Sequence, residues 1–136
     1  MLRRYPIRTR GQRGQSLLET AMMIVVIFTV VFWVFELGWL MYTYSVMADA
    51  ANEGVRYAVV HSGGDSSGAQ TRVATFAATS LHDVSALSTT VTFPDGNASP
   101  PNRVRVTVSY TYVPWLKGFI NTPTMSTYAE GRMIVP

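Results

Sequence analysis

From Thr20 to Phe35 the chain reads TAMMIVVIFTVVFWVF, with no charged side chain and two threonines as its only hydroxyls. Apolar positions lie on every side of any helix drawn through this run, so it has no face that asks for water. At about 1.5 Å per residue it spans roughly 24 Å, and continuing past Glu36 through Leu37, Trp39, Leu40, Met41 and Tyr42 exceeds the ~30 Å of a bilayer core. The pattern predicts a transmembrane helix over residues 15–44.

From Tyr44 to Val60 the pattern becomes amphipathic, and the helix is expected to continue to about residue 60. Met47, Ala51, Gly54, Val55 and Ala58 recur at helical spacing, while Asp49, Asn52, Glu53 and Arg56 lie elsewhere. The seam is made of small residues, so something can approach it closely. Glu53 and Arg56 stand three apart, which suits a surface ion pair. His61 to Gly68 is turn-rich and reads as a loop. Ala69–Leu81 reads as a short second helix, with Val73, Phe76, Ala77, Ser80 and Leu81 on one face.

Three strand signals follow. Ser88–Phe93 alternates weakly and stops at Pro94-Asp95-Gly96. Arg103–Val113 alternates strictly: Val104, Val106, Val108, Tyr110 and Tyr112 share one face, Arg103, Arg105, Thr107, Ser109 and Thr111 the other. After Pro114, Trp115 to Ile120 (WLKGFI) forms a partly apolar connection, expected to cover the core in preference to the alternative of an exposed contact. Thr124–Val135 reads as a last strand, with Gly131 as a candidate bulge. The class is therefore α+β, with a head over 45–136.

Charge changes the picture at the N-terminus. The chain carries 11 basic and 8 acidic side chains, a net +3. Arg3, Arg4, Arg8, Arg10 and Arg13 lie in the first fourteen residues, which hold no acid; the remainder has six bases and eight acids, a net −2. The basic character belongs to the leader, so no nucleic-acid surface is expected. Arginines directly before the span predict a cytoplasmic N-terminus and an external C-terminus. Residues 1–14 read as a disordered targeting leader or an ordinary cytoplasmic anchor tail.

Candidate chemistry is sparse. There is no cysteine, hence no disulfide framework and no thiolate metal site. The glycine-rich loop at 61–68 lacks the Gly-Lys-Ser/Thr ending of a phosphate loop. His61, Asp65 and Ser66 are neighbours in a flexible loop, which cannot hold the geometry of a nucleophilic trio. No enzyme activity, metal or cofactor is expected.

Glu19 stands at the start of the apolar run. A carboxylate at the bilayer centre costs on the order of 3 kcal/mol, less near the interface. One reading makes it a helix-start acid in a capping box with Ser16 as N-cap. Glu36 lies seventeen residues on, about 26 Å along a helix, among Trp33, Trp39, Tyr42 and Tyr44, as an interfacial aromatic belt would be. It reads either as the end of the span or as a contact in a bundle.

A basic leader ending in Gly14, four residues, Glu19 and a long apolar helix together resemble a type IV prepilin N-terminus. Phe35-Glu36-Leu37-Gly38 and Ala50-Ala51-Asn52-Glu53-Gly54-Val55-Arg56-Tyr57-Ala58 are similar to the TadE-like family, minor pilins or pseudopilins of tight-adherence (Tad/Flp) systems. The chain departs at Thr20, where the small Flp-type major pilins carry Tyr, and at Trp39 and Asn52, where Arg is common. The resemblance implies cleavage by a prepilin peptidase between Gly14 and Gln15. It also implies subunit association through Glu19, paired with a neighbour's new amine, with Glu36 as a second contact. For the fold it implies a helix whose second half packs on a small antiparallel sheet.

The expected function is a minor pilin held in the inner membrane and incorporated into, or priming, a Tad pilus. Its partners would be other pilins or pseudopilins, Tad inner-membrane assembly components and the lipid bilayer. Two alternatives remain: an uncleaved signal-anchored periplasmic binding or sensing module, and a protein released by ordinary signal peptidase at Ala48-Asp49-Ala50. The mature N-terminus separates them, being Gln15, Met1 or Leu2, and Ala51 respectively.

Overall fold

The computed structural model describes residues 10–61, 63, 65–81, 83–115 and 122–134, with side chains from Gly14 onward. The element order is α1 (Arg10–Val60), α2 (Ser66–Ala78), β1 (Leu87–Thr92), β2 (Arg103–Thr111) and β3 (Thr124–Arg132), an α+β fold. The chain divides into two units, Met1–Leu37 and Gly38–Pro136.

In the first unit, α1 is one uninterrupted helix through a run dense in valine and isoleucine. Such residues are mediocre helix formers in water. In lipid the helix is favoured because it satisfies every backbone donor and acceptor within itself. The hydroxyls follow the same rule: Thr20 Oγ1 donates to Ser16 O at 2.9 Å and Thr29 Oγ1 to Val25 O at 2.8 Å. None of the most apolar eighteen-residue window of α1 is buried. The helix already begins at Arg10, so residues 10–14 of the expected leader are helical; residues 1–9 lie outside the described set.

In the second unit, α1 buries Thr43, Val46, Met47, Ala50, Ala51, Val55 and Ala58. The seam read from the sequence is there and extends one turn further toward the N-terminus. Asp49, Asn52 and Arg56 are exposed and Glu53 half-buried, with Arg56 and Glu53 paired at 3.3 Å. α2 starts at Ser66, three residues before the expected Ala69. Asp65 is its N-cap: the carboxylate accepts from Gly68 N at 3.0 Å and from Ser67 Oγ at 2.8 Å, satisfying donors that a helix start leaves open. Ala69, Val73, Ala77 and, beyond the helix, Leu81 are buried, whereas Phe76 stays partly exposed.

The sheet is an antiparallel meander in the order β1-β2-β3. Val106 pairs with Val91 on one side and Ala129 on the other. Val104, Val106, Val108, Tyr110 and Tyr112 are all buried, so the strict alternation names the core face correctly. A turn at Gly96, with φ +105, links β1 toward β2, and Gly96 N donates to Phe93 O at 3.1 Å. Asp95 then clamps the start of β2, accepting from Arg103 N at 2.8 Å and Arg103 Nη2 at 2.9 Å.

Gly131 is not a bulge. It pairs in regular register with Val104, and its lack of a side chain answers to packing. A Cβ there would stand 2.6 Å from Val55 Cγ1 and 2.8 Å from Val59 Cγ2 on α1. Gly54 is its counterpart on the helix, where a Cβ would stand 2.6 Å from Val73 Cγ2 and 3.2 Å from Val106 Cγ1. Two glycines, one on each side, let helix and sheet meet. The expected cover by WLKGFI does not hold for Trp115, which is 81% exposed; residues 116–120 of that patch lie outside the described set.

Candidate functional site

Gly14 and Gln15 lie within α1, both exposed. Ser16 is likewise inside the helix, where its carbonyl serves Thr20. It is therefore not an N-cap, and the capping-box reading of Ser16 and Glu19 fails because α1 starts six residues earlier.

Glu19 sits on an exposed face where Met22, Met23, Val26 and Ile27 line a shallow apolar groove with it. These are positions three, four, seven and eight after the acid, one stripe of a helix. Among the described residues Glu19 has no ion-pair or hydrogen-bond partner. The groove was hidden in the sequence because every other side of the run is apolar too. Spacing from the acid is the signal that would have found it.

Glu36 is in a different setting. It is 6% exposed, while Phe35 beside it is 72% exposed. At 100° per residue, seventeen positions turn the two acids about 100° apart around the axis and separate them by about 26 Å. They do not converge. The Trp39 and Tyr42 rings lie against each other, tilted by 31° with centroids 5.3 Å apart, and Trp39, Tyr42 and Tyr44 all remain partly exposed.

The polar residues of the head do structural work. Besides capping α2, Asp65 accepts from Tyr57 Oη at 3.2 Å, and the Gly68 amide followed by the Ser67 hydroxyl holds its carboxyl below the usual carboxylate range. His61 stacks on Tyr57 at 3.7 Å, and its Nδ1 donates to Tyr57 O at 2.8 Å. Ser67 donates its hydroxyl to Asp65, and His61 Nδ1 is turned to a backbone carbonyl. Asp95 is pulled down to about 2 by the Arg103 guanidinium and then by the Arg103 amide. Among the described residues no group of three or more His, Asp or Glu is placed to hold a metal.

An exposed apolar helix that leads directly into a small helix-on-sheet head is the architecture of a membrane-anchored subunit. Among the described residues one helix is long and apolar enough to cross a membrane. Residues 14–56, all within α1, match the model of the TadE-like protein family. The match ends four residues before α1 does and leaves α2 and the sheet outside it. Comparison with curated proteins and with solved structures gave no match.

Proposed function

We propose that this protein is a minor pilin, or pseudopilin, of a Tad-type pilus: a structural subunit without enzymatic activity. A prepilin peptidase cuts it between Gly14 and Gln15, and it associates laterally with other pilins through α1. The observation that carries this reading is Glu19, an exposed carboxylate on an apolar stripe with no partner among the described residues of its own chain. A charge so placed in lipid needs an opposite charge from elsewhere. The amine freed at Gln15 of a neighbouring subunit supplies one when the two helices are offset along their axes by about four residues, or about 6 Å. The helix holds the subunit in the inner membrane, head outward, before assembly and lies in the filament core afterward.

Intact mass and N-terminal sequencing of the protein from cells with a functional Tad system test the cleavage; Gln15 at the terminus is the expected result. A terminus at Met1 or Leu2 would instead make the chain an uncleaved anchored module. Glu19→Ala should leave membrane insertion and processing intact while reducing co-purification with pilus components by about tenfold, as loss of a close charge pair worth roughly 1.4 kcal/mol would. Incorporation at the unmodified level would remove the pairing role.

A further inference from the structure

Between the last two turns of α1 and Arg72 of α2 the head carries an open cavity of about 390 Å³, to which association through Glu19 gives no role. Its size is within the ~300–1,000 Å³ of small-ligand sites. Val55, buried, and Val59, half-buried, form its floor, and Val60 continues them with 54% of its surface exposed. Ile134 donates its amide to Val59 O at 3.2 Å and is 71% exposed. The valine floor therefore runs out into an apolar lip.

The rest of the lining is mainly basic. Arg56, Arg72 and His61 contribute to it, against Glu53 as its one acid. Arg56 meets Glu53 through a single nitrogen at 3.3 Å, which leaves most of its N–H donors free. Arg72 is exposed and has no ion-pair or hydrogen-bond partner among the described residues. A helix C-terminus ordinarily repels an anion through its bare carbonyls. Here His61 Nδ1 takes Tyr57 O at 2.8 Å and Ile134 takes Val59 O, so two of the last four acceptors of α1 are already paired.

We propose that this cavity docks an acidic, aliphatic segment of another protein, with one carboxylate side chain met by Arg56 and Arg72 and its aliphatic neighbour laid on Val59, Val60 and Ile134. The arginine fork matches phosphate as well as carboxylate, but a bare inorganic anion leaves the valines in water, whereas an aliphatic neighbour covers them. A protein segment is the occupant because the apolar surface continues beyond the cavity to Ile134, and only an extended ligand reaches both. The site does not depend on how the apolar helix assembles, since every residue in it belongs to the second unit of the chain.

Methyl resonances of the full chain in detergent micelles read the site. The probes are the capped tripeptides Leu-Glu-Leu, Leu-Gln-Leu and Gly-Glu-Gly, with inorganic phosphate as the bare anion. Leu-Glu-Leu should shift the methyls of Val55, Val59, Val60 and Ile134 saturably. It should bind about tenfold more tightly than any other probe, as loss of a charge-assisted hydrogen bond or of an aliphatic contact predicts. Arg72→Gln and Arg56→Gln should each weaken it by about tenfold, whereas Arg132→Gln, outside the cavity, should not. The methyls of Val73 and Val106, fully buried in the head, report whether each variant remains folded; where one does not, the ranking of the probes on the unmodified chain decides. Equal binding of Leu-Glu-Leu and Leu-Gln-Leu would overturn the charge recognition. Phosphate or Gly-Glu-Gly binding as tightly as Leu-Glu-Leu would reduce the cavity to a plain anion site and also overturn the proposal. Absence of any saturable shift at these methyls would remove the site, while leaving cleavage after Gly14 and association through Glu19 untouched.

Discussion

Gly54 carries the most exacting packing demand in the head, and Gly54→Ala turns it into a number. The added methyl would lie 2.6 Å from Val73 Cγ2, a separation that carbon atoms do not tolerate, and 3.2 Å from Val106 Cγ1. Neither neighbour can simply swing away. Val73 is on α2, where a β-branched side chain has one strongly preferred rotamer, and Val106 is in the central strand, fully buried. Overpacking of this kind costs about 1–3 kcal/mol. Alanine in place of a helical glycine returns about 1 kcal/mol, so the net loss is about 0–2 kcal/mol and is not decisive alone. The decisive quantity is the coupling with Val73→Ala. That change alone should cost about 2 kcal/mol for the methyls removed and the space left. In the double variant the methyl at 54 occupies the vacated space and the clash is gone. The double loss should therefore fall short of the sum of the single losses by about 1 kcal/mol or more. Urea unfolding of the full chain in mild detergent, followed by pulse proteolysis, measures all three. Additive losses, or a double variant worse than the sum, would refute the account of why this position lacks a side chain.

Two further predictions concern the head's carboxylates. Asp65→Ala should lower the thermal midpoint by a few degrees and expose the first turn of α2 to hydrogen exchange, whereas Asp65→Asn, which retains the capping oxygen, should preserve most of the protection. The Asp95 carboxyl is lowered in the folded chain from 3.8 to about 2. Its contribution is therefore complete above the unfolded value and is lost as the pH falls through the folded one. Asp95→Asn should flatten the fall in stability between those two values, only in part because Asp65 is shifted the same way. Denaturant midpoints measured across that range decide it, and an unchanged slope would count against the Arg103 clamp.

Where a residue's environment is set by its own periodicity, the sequence was readable. The alternation through Val104, Val106 and Val108 and the seam through Met47, Ala51 and Ala58 named buried faces correctly, because burial on one side leaves a period of two or of three to four. What failed was set by contacts distant along the chain. Gly131 looked like a bulge, since a glycine in a strand has that common meaning, but its cause lies in Val55 and Val59, seventy and more positions away. Asp65 looked like a loop residue because a cap is recognisable only once the helix start is known. Hydrophobicity alone left the WLKGFI stretch readable as core cover or as an exposed contact, because it does not say which way a side chain such as Trp115 points. At the proposed assembly surface the acid was legible and its groove was not, since a uniformly apolar run offers no contrast against which a stripe stands out.

Thr20 and Thr29 turn their hydroxyls back onto their own helix, and this has a consequence for how such rods combine. A hydroxyl left pointing outward would lock two neighbours at one height by bonding across the gap. With both folded inward, hydrocarbon presents almost the same surface at every elevation, and two rods can slide past one another with little resistance. The carboxylates at the two ends of the run, Glu19 and Glu36, then mark the scale, like notches on an otherwise smooth ruler.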